Sequence, residues 1–155
     1  MQRSKPSTDP AIVDETGSAS LEFVTAGLIL LLPLVYLVLT MSAIQAGALA
    51  VEGASRHAAR VFVQSPDGAQ AVARAQRAVD VALADYGLDA GTATVVITCK
   101  PDPGDCLTRR GFVTVAVTTS VPLPLVPPVL DLDLALAVPL SSTATQQVSR
   151  FWVAG

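Results

Sequence analysis

Few side chains in this 155-residue sequence are of a type and spacing that could do chemistry. Its two cysteines, Cys99 and Cys106, have six residues between them. The connection around them, KPDPGDCLTRRG, is rich in turn-forming residues, so the thiols meet in a disulfide if the loop turns back. A pair of reduced thiols is the other reading. By chain entropy a bridge closing so short a loop contributes about 2 to 3 kcal/mol, and it implies an oxidising, extracytoplasmic location. Zinc fits less well, because the spacing is not that of a Cys-x-x-Cys knuckle and only one histidine exists. That histidine, His57, lies between Arg56 and Ala58 with no acidic or nucleophilic partner at helical spacing, which describes a solvated or interfacial side chain rather than a catalyst. Asp131 and Asp133 share one side of an extended, Pro-rich stretch, the usual mark of an exposed strand face. No Gly-rich phosphate loop and no carboxylate–histidine cluster occurs. The expectation is a protein that is not an enzyme and takes no cofactor, no metal and no small-molecule substrate.

One further ionisable group stands out by position. Glu22 sits at the mouth of a run, FVTAGLILLLPLVYLVLTMSAIQAGALAV, in which nothing from Phe23 to Val51 is ionisable at neutral pH. About 20 helical residues cross a hydrocarbon core of roughly 30 Å, so this run is long enough to span a membrane. Pro33 frees one backbone carbonyl and bends such a helix without ending it. A buried core helix is a poor alternative, since a domain of this size cannot surround a helix that is apolar on every side. A secretory signal peptide cut after Ala48-Leu49-Ala50, before Val51, is a stronger one. Its weakness lies upstream, where Arg3 and Lys5 are outnumbered by Asp9, Asp14, Glu15 and Glu22, and in an apolar run about twice the usual length.

Gly17 precedes Glu22 by five positions, and Gly17-Ser18-Ala19-Ser20-Leu21-Glu22-Phe23 resembles the prepilin peptidase signature. The resemblance implies removal of residues 1–17 as a hydrophilic leader, with scission between Gly17 and Ser18 and Glu22 at the fifth mature position. The spacing also makes chemical sense by itself. Cleavage creates a positive α-amine on Ser18, and a carboxylate four residues on lies one helical turn away on the same face. A charge near a membrane is costly unless paired, so Glu22 would be stabilised by an amine of its own or a neighbouring subunit. A carboxylate resting among head groups at a helix N-terminus is the blander account.

The likeness continues through GALAVEGASRHAARVFVQ, SPDGAQAVARAQRAVDVALADYGL, SVPLPLVPPVL and STATQQVSRF, a succession similar to TadE-like minor pilins or pseudopilins of the tight-adherence (Flp-type) pilus systems, particularly actinobacterial ones. It implies a prepilin peptidase substrate held in the cell membrane by a single pass, with an extracytoplasmic C-terminal domain that acts with other pilins and pilus assembly proteins in building a pilus or secretion filament. The disulfide agrees with that orientation, whereas Arg56 and Arg60 follow the span more closely than Arg3 and Lys5 precede it. Two other readings stay open: a single-pass membrane protein with an outer binding domain, and a secreted domain beginning near Val51.

The remaining residues must build the outer part. Lys and Arg number 10 against 13 Asp and Glu, a formal charge of −3 with no basic cluster fit for a run of phosphates, so nucleic acid is not expected as a partner. Val51, Ala54, Ala58, Val61 and Phe62 fall at helical spacing with Glu52, Arg56 and Arg60 opposite, which extends one helix over 18–64, its transmembrane part at about 23–51. That is about 70 Å if unbroken. Residues 65–155 form an α+β head. Ser65 as N-cap with Pro66 at the first helical position starts a second helix whose apolar stripe is Val72, Val79, Leu83 and Tyr86, ending near Gly87. Alternation then predicts strands over Ala93–Cys99, Val113–Thr118 and Leu132–Val138, the first two as a hairpin, in a small antiparallel sheet. Five prolines and two aspartates between Val121 and Leu140 exclude a second span and read as an extended linker.

Overall fold

The computed structural model describes residues 18–124 and 137–153. The expected leader with Gly17, and the Asp131, Asp133, Leu132, Leu134 and Leu136 positions, lie outside the described residues. The protein is α+β: a long N-terminal helix, a second helix, then a three-stranded antiparallel sheet. Two compact units divide the chain at Leu37/Val38.

The first unit consists, among the described residues, of the beginning of helix α1 (Ser18–Val63). The helix continues through Pro33 without a break. Every described side chain from Ala19 to Leu37 is exposed. An element with no packed face draws its regularity from its backbone hydrogen bonds and from Leu and Ala, which suit a helix.

In the second unit the rest of α1 presents a narrow buried stripe, namely Gly47, Ala50, Val51, Ala54, Ser55, Ala58, Ala59 and Phe62. The three- and four-residue steps keep these on one face. Most are small, so their neighbours approach closely. A Cβ on Gly47 would collide with Val121 and stand 3.0 Å from Leu140 Cδ1. Glycine there is a matter of space, not of backbone freedom.

Helix α2 (Gly68–Ala84) differs from the expectation in its cap and in its face. Ser65 is not the cap; its hydroxyl donates to Val61 O (2.8 Å) and its N–H to Phe62 O (3.1 Å), closing the end of α1. Asp67 caps instead, accepting from the Gln70 N–H at 2.8 Å and the Gln70 side-chain amide at 2.9 Å. The buried face is Ala71, Ala75, Ala78, Val79 and Leu83, while Val72 (53% exposed) and Tyr86 (49%) face solvent. Alanine fills most of the inner positions, and Val79 and Leu83 supply the bulk. The helix ends as its sequence suggests: Gly87 takes φ +70°, its N–H reaches Ala84 O and the Leu88 N–H reaches Leu83 O. A short 3-10 turn, Ala90–Thr92, follows.

The sheet contains β1 (Thr94–Lys100), β2 (Phe112–Pro122) and β3 (Ala137–Gln147), in the order β1-β2-β3. Val113 faces Cys99 across the first pair and Gln146 across the second. One face is apolar: Val95, Ile97 and Cys99 of β1, Val113, Val115, Val117, Thr119 and Val121 of β2, and Leu140 and Ala144 of β3. The opposite face carries Thr94, Thr98, Thr118, Ser141, Thr143 and Thr145, all exposed. One expectation is corrected. Val121 and Pro122 belong to β2 rather than to a linker, because Val121 continues the inward alternation and is buried. Of the Leu132–Val138 expectation only Ala137 and Val138 are described, and both lie in β3, which continues beyond the expected end through Pro139, paired with Ser120, as an outer strand of the sheet tolerates.

The stripe of α1, the inner face of α2 and the apolar sheet face form one core, with Phe62 and Leu83 its largest fully buried side chains. Polar contacts tie its margins. The Ser55 and Ser142 hydroxyls stand 3.2 Å apart. The Trp152 indole N–H donates to Ser65 O (2.9 Å), and the Arg109 guanidinium to Trp152 O (2.7 Å).

Candidate functional site

α1 begins at Ser18, and Glu22 and Phe23 follow within its first two turns, fully in the open. Glu22 lies one residue past the first turn, four after Ser18, and so beneath the helix N-terminus on the face that residue occupies. Its surface neighbours are Leu21, Thr25, Ala26 and Ile29. Thr25 is no partner for the carboxylate, because its hydroxyl donates to Leu21 O at 2.8 Å. Among the described residues the one ion pair is Arg56 with Glu52, so Glu22 is an unpaired carboxylate on an otherwise apolar surface. Such a group can accept from an amine at the helix terminus.

Beyond Glu22 the helix contains a window of mean hydropathy 2.4, none of it buried by the protein. Phe23, Ile29, Leu30 and Leu37 are among the exposed apolar side chains. Uncovered apolar surface on this scale belongs in lipid or against another protein. α1 therefore carries a candidate membrane span. The Ala48-Leu49-Ala50 site of the secreted reading lies in the middle of α1, with Ala50 and Val51 each 1% exposed in the core.

Cys99 and Cys106 form a disulfide, with Cα atoms 5.1 Å apart. Cys99 comes from β1, and the loop beyond it is held by its own carboxylates: Asp102 accepts from the Gly104 N–H at 2.8 Å and Asp105 from the Leu107 N–H at 3.2 Å. These aspartates are turn-formers and not an acid–base pair. Leu107 is buried, which anchors the loop to the core. The bridge staples a hairpin; no reactive thiol remains.

His57 is exposed and lies in an open groove between α1 and α2 with Val61, Gln64, Arg74, Arg77 and Val81. No carboxylate or nucleophile lines it. Among the described residues no three His, Cys, Asp or Glu side chains gather as metal ligands. The sequence reading missed this groove. Its signal was Arg74 and Arg77, three apart on α2, but only the packing of α2 on α1 brings them beside His57.

Compared with protein-family models, curated proteins and solved structures, the chain matches none.

Proposed function

We propose that this chain is a membrane-anchored minor pilin or pseudopilin of the TadE-like kind, processed by a prepilin peptidase and acting without catalytic activity of its own in assembly of a tight-adherence pilus or secretion filament. The observation that carries the reading is the Gly17–Phe23 motif set directly on a long apolar helix that the protein leaves unburied. In this account removal of residues 1–17 leaves an α-amine on Ser18, and Glu22 pairs with that amine or a neighbour's. In a water-poor setting an unpaired charge is costly and a close ion pair strongly favoured, so the pairing sets the stagger between adjacent helices. The membrane holds α1 until partner helices cover it, and the α+β head, stapled by Cys99–Cys106, lies outside the cytoplasm where such bridges persist.

The secreted reading, with a cut before Val51, would remove Gly47 and Ala50 from the core stripe to which they contribute. An ordinary single-pass anchor would retain residues 1–17. The deciding experiment is intact mass and N-terminal sequencing of protein recovered from native membranes. A start at Ser18 supports processing; a start at Met1 refutes it in favour of a plain anchor, and a start at Val51 in favour of a secreted domain.

A further inference from the structure

The groove between α1 and α2 carries more positive charge than the fold uses. Arg74 donates to Gln70 Oε1 at 3.2 Å and Arg77 to Ala73 O at 3.3 Å, both neutral acceptors on their own helix. Neither forms an ion pair among the described residues. Between them and His57 lies an apolar floor of Val61 and Val81, the latter 62% exposed.

The far end of α2 is the reverse. Asp85 and Asp89 flank Tyr86, which is 49% exposed. The turn is fixed by the Gly87 and Leu88 N–H bonds to Ala84 and Leu83 and by Asp89 Oδ1 accepting from the Gly91 N–H at 2.8 Å. Asp85 opposes what a lone helix prefers at its C-terminal end, whereas the N-cap Asp67 agrees with that preference and Arg74 and Arg77 lie beyond the reach of either terminus. α2 places Arg74 and Arg77 in its first two-thirds, has no basic residue in its last turn, and ends on Asp85. The helix dipole therefore accounts for neither the two arginines nor Asp85.

We propose that the Asp85–Asp89 turn of one copy docks into the α1/α2 groove of a second copy, with Tyr86 on the Val61 and Val81 floor and the two carboxylates on Arg74 and Arg77. An exposed, pre-ordered tyrosine between rim charges has the form of an interface anchor, and its acidic flanks complement the groove in sign and character. The turn cannot serve its own groove, because Asp85 lies about 12 Å beyond Arg77 along the same helix axis. Groove and turn lie on the same helix, so the contact either closes as a two-fold exchange of turns between two copies or leaves a free groove and a free turn after each addition. The proposal goes beyond the processing reading and does not depend on the leader being removed.

The test uses the full chain in native membranes, with a photoreactive benzoylphenylalanine in place of Tyr86. The expected result is a cross-linked dimer whose joined peptides include His57–Arg77 of a second copy. R74Q/R77Q and D85N/D89N remove the same contact from opposite sides, and each is expected to lower the dimer yield roughly tenfold, while R74E/R77E/D85R/D89R restores it. Cross-links to lipid or to a different protein, a dimer joined elsewhere, or a yield that falls for only one of the neutralised pairs would each overturn the proposal. Because the read-out is taken on unprocessed and processed chains separately by mass, its failure is distinct from a failure of cleavage at Gly17.

Discussion

Replacing Gly47 by alanine sets two opposing effects against each other in one helix. Removing a glycine from a helix interior is worth about 1 kcal/mol in favour of folding. At Gly47 the new methyl collides with a Val121 methyl and approaches Leu140 at 3.0 Å. Val121 is buried and β-branched within β2, so it yields only by leaving its rotamer or moving the strand, and overpacking of that kind costs about 1 to 3 kcal/mol. The net expectation is a loss of about 1 kcal/mol. Gly53, six residues on, has nothing within 4 Å of its would-be Cβ, so Gly53→Ala keeps the gain without the clash and stabilises by roughly 0.5 to 1 kcal/mol. Urea unfolding of the full chain in mild detergent reports both, through the fluorescence of Trp152, the only tryptophan, whose indole is bonded to Ser65 O. In a Val121→Ala background the cost of Gly47→Ala should vanish, a coupling of about 1 to 2 kcal/mol. If Gly47→Ala stabilises as Gly53→Ala does, the close approach of α1 to the sheet is wrong.

Glu22→Ala should leave membrane insertion intact and sharply reduce filament output, measured as sheared, pelletable material; unchanged output would refute the register role of the carboxylate. Removing the disulfide as C99A/C106A should cost about 2 to 3 kcal/mol in the same urea assay, since the bridge closes a loop of sequence separation 7. Asp67→Ala strips the cap from α2 and should lower stability by about 1 kcal/mol with no change in the slope of the transition.

Where side chains are large and alternate, the sequence reading was close. Val113, Val115 and Val117 point inward as their spacing implies, and β1 pairs with β2 as a hairpin. The stripe of α1 is likewise legible, because Val51 and Phe62 mark the face that the alanines share. On α2 the expected stripe holds at Val79 and Leu83 and fails at Val72 and Tyr86. Size alone misled at Val72 and Tyr86, since the buried face is completed by Ala71, Ala75 and Ala78, which carry little apolar signal in a sequence. Ser65 and Asp67 are both good caps, and what decided between them was the end of α1, which engages the Ser65 hydroxyl. The SSTATQQ part of β3 was not legible, because it carries few apolar residues and is held by its ladder to β2. Of the candidate site, Glu22 and its apolar surroundings were visible as a gap in the charges. The α1/α2 groove was not, since it belongs to neither helix alone.

The Gly47 contact also bears on how the head answers to force. A pull along α1 loads the helix against the sheet in shear, parallel to the seam of small residues from Gly47 to Ala59. Slipping by one turn, about 5.4 Å, would drive Ile44 or Val51 into a slot that does not admit even a methyl group. Gly47 thus works as a detent: small contacts that are individually weak must all fail together before the rod slides, and the head resists tension better than its modest alanine-lined seam would suggest.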